Sequence, residues 1–95
     1  KFFMKTYHLH ITGKVQGVWY RASAKDRALS LDLKGKVWNE PDGSVGILVQ
    51  GPQDALDTFV DWCKEGPMLA EVNDVVVHEE VFTQVFSSFE ITRGR

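Results

Sequence analysis

The sequence predicts an α+β fold, a two-layer sandwich in which two helices cover one face of an antiparallel sheet. Three observations predict it. Thr6 to Thr12 alternates apolar and polar residues at the period of a half-buried strand. Ala22 to Leu31 and the run after Pro52 carry apolar residues at helical spacing. Alternating or β-branched runs return between and after those helices, giving the order strand, helix, strand, strand, helix, strand, with a small strand appended.

In the first strand Tyr7, Leu9 and Ile11 share one face, and His8, His10 and Thr12 share the other. Two histidines so spaced can share a metal, but no carboxylate or cysteine lies near them in sequence, so a wet sheet face is the reading. In the first helix Ala24, Ala28 and Leu31 stand at i, i+4 and i+7 as an inward stripe. The helix should stop near Asp32, which tolerates a left-handed cap that glycine would fit better. Leu33 to Asn39 and Val45 to Gln50 form a hairpin around Glu40-Pro41-Asp42-Gly43, whose proline and Asp-Gly pair favour a turn.

Gly51-Pro52 opens the second helix with proline at its first position, and Gly66-Pro67 ends it. Leu56, Phe59, Val60 and Cys63 make its apolar stripe, with Trp62 beside them as core or rim. Val72 to Val81 is a β-branched strand, and Phe89 and Ile91 alternate in a short last one. Phe82 to Ser88 between them is a loop with two phenylalanines, of no assigned place. The layout is a ferredoxin-like two-layer sandwich, βαββαβ with a short extra C-terminal strand, expected as one domain over residues 1 to 95. It hosts enzymes, metal carriers, regulatory modules and RNA binders alike, so function must come from the site.

Composition narrows the classes. Hydrophobic residues make up 43% of the chain and charged residues 25%, as in a soluble globular protein, and no apolar run approaches membrane-spanning length. The start, Lys1-Phe2-Phe3-Met4, is too short for a signal peptide, Met4 is a candidate original start, and a cytoplasmic chain is expected. Cys63 is the only cysteine, which excludes an internal disulfide and reads as a core or half-buried thiol. Net charge is −2, but residues 1 to 36 carry eight basic against two acidic side chains and residues 37 to 95 carry three against eleven. A basic first third favours a small anion there, and the acidic remainder repels a polyanion such as RNA. The plain alternative is that separated charges only keep the surface soluble.

The candidate site is Gly13-Lys14-Val15-Gln16-Gly17-Val18-Trp19-Tyr20-Arg21, between the first strand and the first helix. Amides at a helix N-terminus lack intrahelical partners, and the helix dipole adds partial positive charge where they point. Gly13 and Gly17 permit positive φ and close backbone approach, and Arg21 adds a planar fork of donors matched to phosphate oxygens. Taken alone, a glycine loop before a helix is more often a plain turn. Asn39 is the nearest polar candidate. Its carboxamide can accept a hydrogen bond from water and donate one to an oxygen without titrating, although Asn before Pro-Asp-Gly is more often a turn residue. The chain has no P-loop Gly-Lys-Ser/Thr, no recognisable Ser-His-Asp context, no cysteine phosphatase loop and no acidic metal cluster, so any hydrolysis must act on an already labile substrate.

On these residues the chain resembles the acylphosphatase family. The loop from Gly13 to Val18, followed by an aromatic residue and Arg21, is similar to that family's first signature. Asn39 followed by Gly43, Val45 and Gly51 is similar to the second in spacing, and the likeness runs from Tyr7 to Ile91. The resemblance implies hydrolysis of the carboxyl-phosphate bond of acyl phosphates to carboxylate and inorganic phosphate. It implies that Arg21 and the amides of Gln16, Gly17, Val18, Trp19, Tyr20 and Arg21 bind the phosphate, that Asn39 places the attacking water, and that no cofactor or metal takes part. The expected partner is a small-molecule acyl phosphate, with no nucleic acid and no membrane, and the expected state is a monomer.

Three departures from the family pattern stand out, at four positions. Trp19 stands where a small residue is usual, Lys36 and Trp38 are exchanged relative to an aromatic and a basic residue, and Asp32 replaces a frequent glycine. Trp19 must face outward or pack on a neighbour; it and the exchange bear on substrate preference and rate more than on the reaction. A rival reading is a phosphate- or anion-binding regulatory module of the same fold without useful turnover, against which the presence of both Arg21 and Asn39 speaks. A single-strand RNA binder would need aromatics centred on adjacent strands with basic residues, and a metal carrier would need ligands beyond His8 and His10.

Overall fold

The computed structural model describes residues 4–81 and 84–95, as β1 (Lys5–Lys14), α1 (Tyr20–Ser30), β2 (Lys34–Asn39), β3 (Val45–Gly51), α2 (Gln53–Glu65), β4 (Glu71–Glu80) and β5 (Phe89–Ile91). The sheet order is β4-β1-β3-β2-β5. The first four strands pair antiparallel, as expected. β5 departs from that expectation by joining β2 in parallel, with Gly35 opposite Phe89 and Val37 opposite Ile91, so the whole sheet is mixed. Direction explains it. β4 runs opposite to β1 and β2, and a chain that reverses after β4 arrives at the far edge pointing the same way as β2. Of the loop before β5, Phe82 lies outside the described residues, and Phe86 is half-buried with its N–H donating to Gln50 Oε1 at 3.0 Å.

The alternation of the strands and the stripes of both helices meet in one core. Leu9, Ile11, Ile47 and Val49 of the sheet and Ala24, Ala28, Leu56 and Phe59 of the helices are fully buried in it. A large aliphatic or aromatic side chain buried this way contributes roughly 1.5–3 kcal/mol. α1 starts two residues before the expected Ala22 because Tyr20 is itself a core residue. Its hydroxyl donates to the Cys63 carbonyl oxygen in the last turn of α2 at 2.7 Å. Pro52 stands just outside α2 as its extended N-cap, with ψ 156°, and the helix begins one residue later than expected, at Gln53.

The end of α1 follows the sequence reading closely. Asp32 takes φ 59°, its N–H donates to Leu29 O at 3.1 Å, and the Leu33 N–H donates to Ala28 O at 2.9 Å. Those two bonds are the Schellman pair that closes a helix on a left-handed residue.

The face away from the helices is drier than the alternation of His8 and His10 suggests. Trp38 is buried there, stacks on His8 with ring centroids 6.1 Å apart, and donates Nε1–H to Glu40 Oε2 at 2.6 Å. Lys36 Nζ lies 5.7 Å from the Trp38 ring centroid, a cation–π distance, so the exchanged pair sits together on this face. Gly46 makes room for the indole, since a Cβ there would fall 2.5 Å from Trp38 Cε2. Burial, and after it the charge of Arg95, holds His8 below its ordinary pKa. Among the described residues no three His, Cys, Asp or Glu side chains are grouped as a metal ion requires.

Asp32→Gly should stabilise the protein by about 0.5–1 kcal/mol, because the left-handed region costs an L-residue roughly 1–2 kcal/mol and the greater freedom of unfolded glycine offsets only part of the relief. The Asp32–Lys34 pair lost with it, at 3.5 Å, is exposed and contributes little. A melting temperature that stays the same or falls would refute this. Cys63 is fully buried, and burial pushes its thiol up to about 12. The native protein should therefore resist iodoacetamide near neutral pH and be alkylated only on unfolding, as read by intact mass.

Candidate active site

Between β1 and α1 the backbone changes hand repeatedly. Gly17 has φ 73° and Trp19 has φ 68°, with Val18 packed into the core between them. Such alternation turns successive N–H groups toward one side, forming a concave nest of donors suited to an anion. At Gly17 a Cβ would meet nothing within 4 Å, so conformation alone calls for glycine there. At Gly13 the reason is space as well: a Cβ would fall 2.2 Å from Glu71 O, where β1 and β4 shift register.

The nest is also the N-terminus of α1. Trp19 is the N-cap residue, its side chain makes no capping bond, and the first turn holds no acidic residue. Among the described residues no carbonyl or side chain accepts from the amides of Gln16 to Arg21. The positive end of the helix thus faces outward without an internal counter-charge.

Ties on both sides hold the loop. Gln16 Nε2 donates to Glu40 O and to Ser44 O, both at 2.8 Å, fastening the loop to the β2–β3 turn. That turn is fixed by Asp42, whose Oδ1 accepts from the Ser44 N–H at 3.0 Å and from Ser44 Oγ at 2.6 Å. These two bonds keep the Asp42 carboxyl below the usual carboxylate range. On the other side Tyr20 is locked to α2 through its hydroxyl.

A cavity of about 380 Å³ opens at the nest, with Gly17, Trp19, Tyr20, Arg21, Ala22 and Ile91 among its lining. Arg21 is half-buried and makes no ion pair with any described residue. The Trp19 indole faces outward, 74% exposed. Asn39 is not on the lining. It ends β2, two residues beyond the buried Val37 and so on the same helix-covered face. Its Oδ1 is buried and has no hydrogen-bond partner among the described residues. Buried polar atoms are rarely left so, because each costs about 1–3 kcal/mol.

Of the residues expected at the site, the cavity brings together Gly17, Trp19, Tyr20 and Arg21. Gln16 points its side chain away into the neighbouring turn, Val18 is core, and Asn39 stands at the end of β2, two residues beyond its pairing with β5. Sequence reasoning missed two features. The Gln16 side chain as a strut carried no signal beyond its length, and Ile91 reaches the cavity only through the parallel pairing of β5 with β2.

Comparison with known proteins identifies the family. The acylphosphatase family model matches residues 7–91, from the first strand to the last. The chain is 43% identical over 90 residues to an acylphosphatase of Methylococcus capsulatus, covering 95% of this chain and 98% of that one. Its structure is similar to the crystal structure of acylphosphatase from Bacillus subtilis, with a TM-score of 0.90 and 34% identity over 95% of this chain and 99% of that one. It is also similar to part of full-length HypF in its phosphate- and nucleotide-bound form, with a TM-score of 0.90 and 28% identity over 99% of this chain but 12% of that one. With the family model matched over residues 7–91 and nearly the full length of both acylphosphatases covered, the chain belongs to the acylphosphatase family.

Proposed function

We propose that this chain hydrolyses acyl phosphates with the phosphate held by Arg21 and the amides of Gln16 to Arg21, and with the attacking water held by Asn39. The observation that carries this reading is the run of amides from Gln16 to Arg21 that find no acceptor among the described residues, ending at a half-buried arginine that makes no ion pair among them. A phosphoryl group in a loose transition state spreads charge over its equatorial oxygens, and such donors stabilise that charge without rearranging. The orphan Oδ1 of Asn39 is an acceptor suited to a water proton.

In the reaction the water oxygen forms a new bond to phosphorus while the bond from phosphorus to the carboxyl oxygen breaks. The carboxylate leaves with the electron pair, and the water proton passes to the phosphate product. A carboxylate of pKa ~4 departs without being protonated, so no general acid is required. The substrate is a small molecule, and among the described residues no helix is long and apolar enough to cross a membrane. The proposal includes a monomer acting in the cytoplasm without a cofactor. The HypF likeness, confined to 12% of a longer chain, favours one second reading, an anion-binding module without turnover.

Benzoyl phosphate hydrolysis, measured with a chelator present, separates the two. The parent should turn over. Arg21→Ala should lose about 10²–10³ in kcat and weaken competition by inorganic phosphate. Asn39→Ala should lose rate while phosphate competes as before. A folded parent that binds phosphate without turnover would establish the module instead. Gln16→Ala should cost about 1 kcal/mol in urea unfolding, the lower end of the range, because Glu40 O and Ser44 O each keep a backbone donor. Its kcat/KM should fall as well, since the loop loses its tie to the turn.

A further inference from the structure

We infer that the wall of the cavity beside the nest selects acyl phosphates with an aromatic or bulky aliphatic acyl group, seated between Trp19 and Ile91. This rests on the reading of the loop as the phosphate cradle and names the substrate class that cradle serves.

Three observations carry it. The first is a strained residue that folding does not explain. Trp19 holds φ 68°, a conformation that glycine or asparagine adopts at much lower cost. Yet the chain places its bulkiest type of side chain there and leaves it 74% exposed, so the indole adds almost nothing to the core. A rigid ring held out beside an anion site is suited to contact with a ligand, because little conformational freedom is lost when it is covered.

The second is an apolar residue from another element on the same lining. Ile91 is 41% exposed and lines the same cavity, with Ala22 beside the loop. Ile91 is there because β5 runs parallel to β2 and ends level with Val37, short of Asn39. An acyl group leaving the phosphate therefore meets apolar surface from two separate elements.

The third is size and charge. The cavity of about 380 Å³ has room well beyond the five heavy atoms of a phosphate. Among the described residues Arg21 is the only charged one on its lining. Lys25, one turn along α1, is engaged by Glu90 at 3.7 Å. The acyl end thus finds no second cation, which disfavours an acyl group that carries its own negative charge.

Apolar contact of this kind is made equally in the ground state and the transition state, so it should act on KM rather than kcat. The test compares kcat and KM for benzoyl phosphate and acetyl phosphate in the parent, Ile91→Ala and Trp19→Asn, the asparagine chosen because it tolerates the left-handed backbone. The parent should favour benzoyl phosphate. Ile91→Ala should raise KM for benzoyl phosphate roughly fivefold and KM for acetyl phosphate by much less, with an unchanged melting temperature reporting a folded enzyme. Trp19→Asn should lower the benzoyl-to-acetyl ratio of kcat/KM by roughly tenfold. As a check without turnover, phenylphosphonate should compete more tightly than methylphosphonate in the parent, and Ile91→Ala should narrow that gap. A ratio untouched by both substitutions, or a parent that favours acetyl phosphate, would overturn the inference while leaving the cradle intact. A folded parent that hydrolyses neither substrate would overturn the cradle reading and this inference with it.

Discussion

A row of backbone N–H groups must be kept from every internal acceptor and yet held still, and the surrounding structure depends on that constraint. Unpaired amides gain from closing on any nearby carbonyl, so a loop whose amides from Gln16 to Arg21 find no acceptor among the described residues has to be over-determined by its surroundings. The Gln16 carboxamide supplies two bonds to the β2–β3 turn, Val15 and Val18 are pressed into the core, and Tyr20 reaches α2. Each tie uses a side chain, which leaves the backbone donors pointing the other way. The conformational cost at Trp19 fits the same picture, because relaxing that residue would turn its amide out of the nest.

The sheet makes this rigidity possible. β1 and β3 lie in its middle, and the loop leaves from the end of β1, the strand flanked by β3 and β4. β3 is buried along its whole length, covered by helices on one side and by Trp38 and its neighbours on the other. The exchanged Lys36 and Trp38 therefore serve the far face of the sheet, where the indole shields Gly46. Any influence of that pair on the cradle has to pass through the sheet rather than through contact with a ligand.

What the sequence made legible was local, and what it left out was pairing. The alternation in β1, the stripe of α1, the left-handed stop at Asp32 and the Asp-Gly turn are each decided by a few adjacent residues, and each appears where the residues put it. The helix starts moved by one or two residues for reasons at long range. Tyr20 is helical because its ring and hydroxyl are held by α2, 43 residues away. β5 could be read as a strand from Phe89 and Ile91, but its parallel direction and its edge follow from the course of the whole chain. Gly17 and Arg21 stood out in the sequence as site residues, whereas Ile91 looked like any core-facing position and became a cavity wall only through that pairing.

The chemistry proposed for the site also explains which residue types it lacks. Arginine, carboxamide and backbone amide keep their charge state through the range in which enzymes work, so none can deliver or remove a proton at the transition state. That would be a handicap for a phosphate ester, whose alkoxide leaving group needs an acid. It is no handicap for a mixed anhydride, whose carboxylate is already stable once the bond breaks. A site built from fixed dipoles and one permanent cation is thus restricted to substrates with good leaving groups. Discrimination between an acyl phosphate and the far more abundant phosphate esters then requires no recognition of the acyl group at all, which leaves the Trp19 and Ile91 wall free to choose among acyl groups.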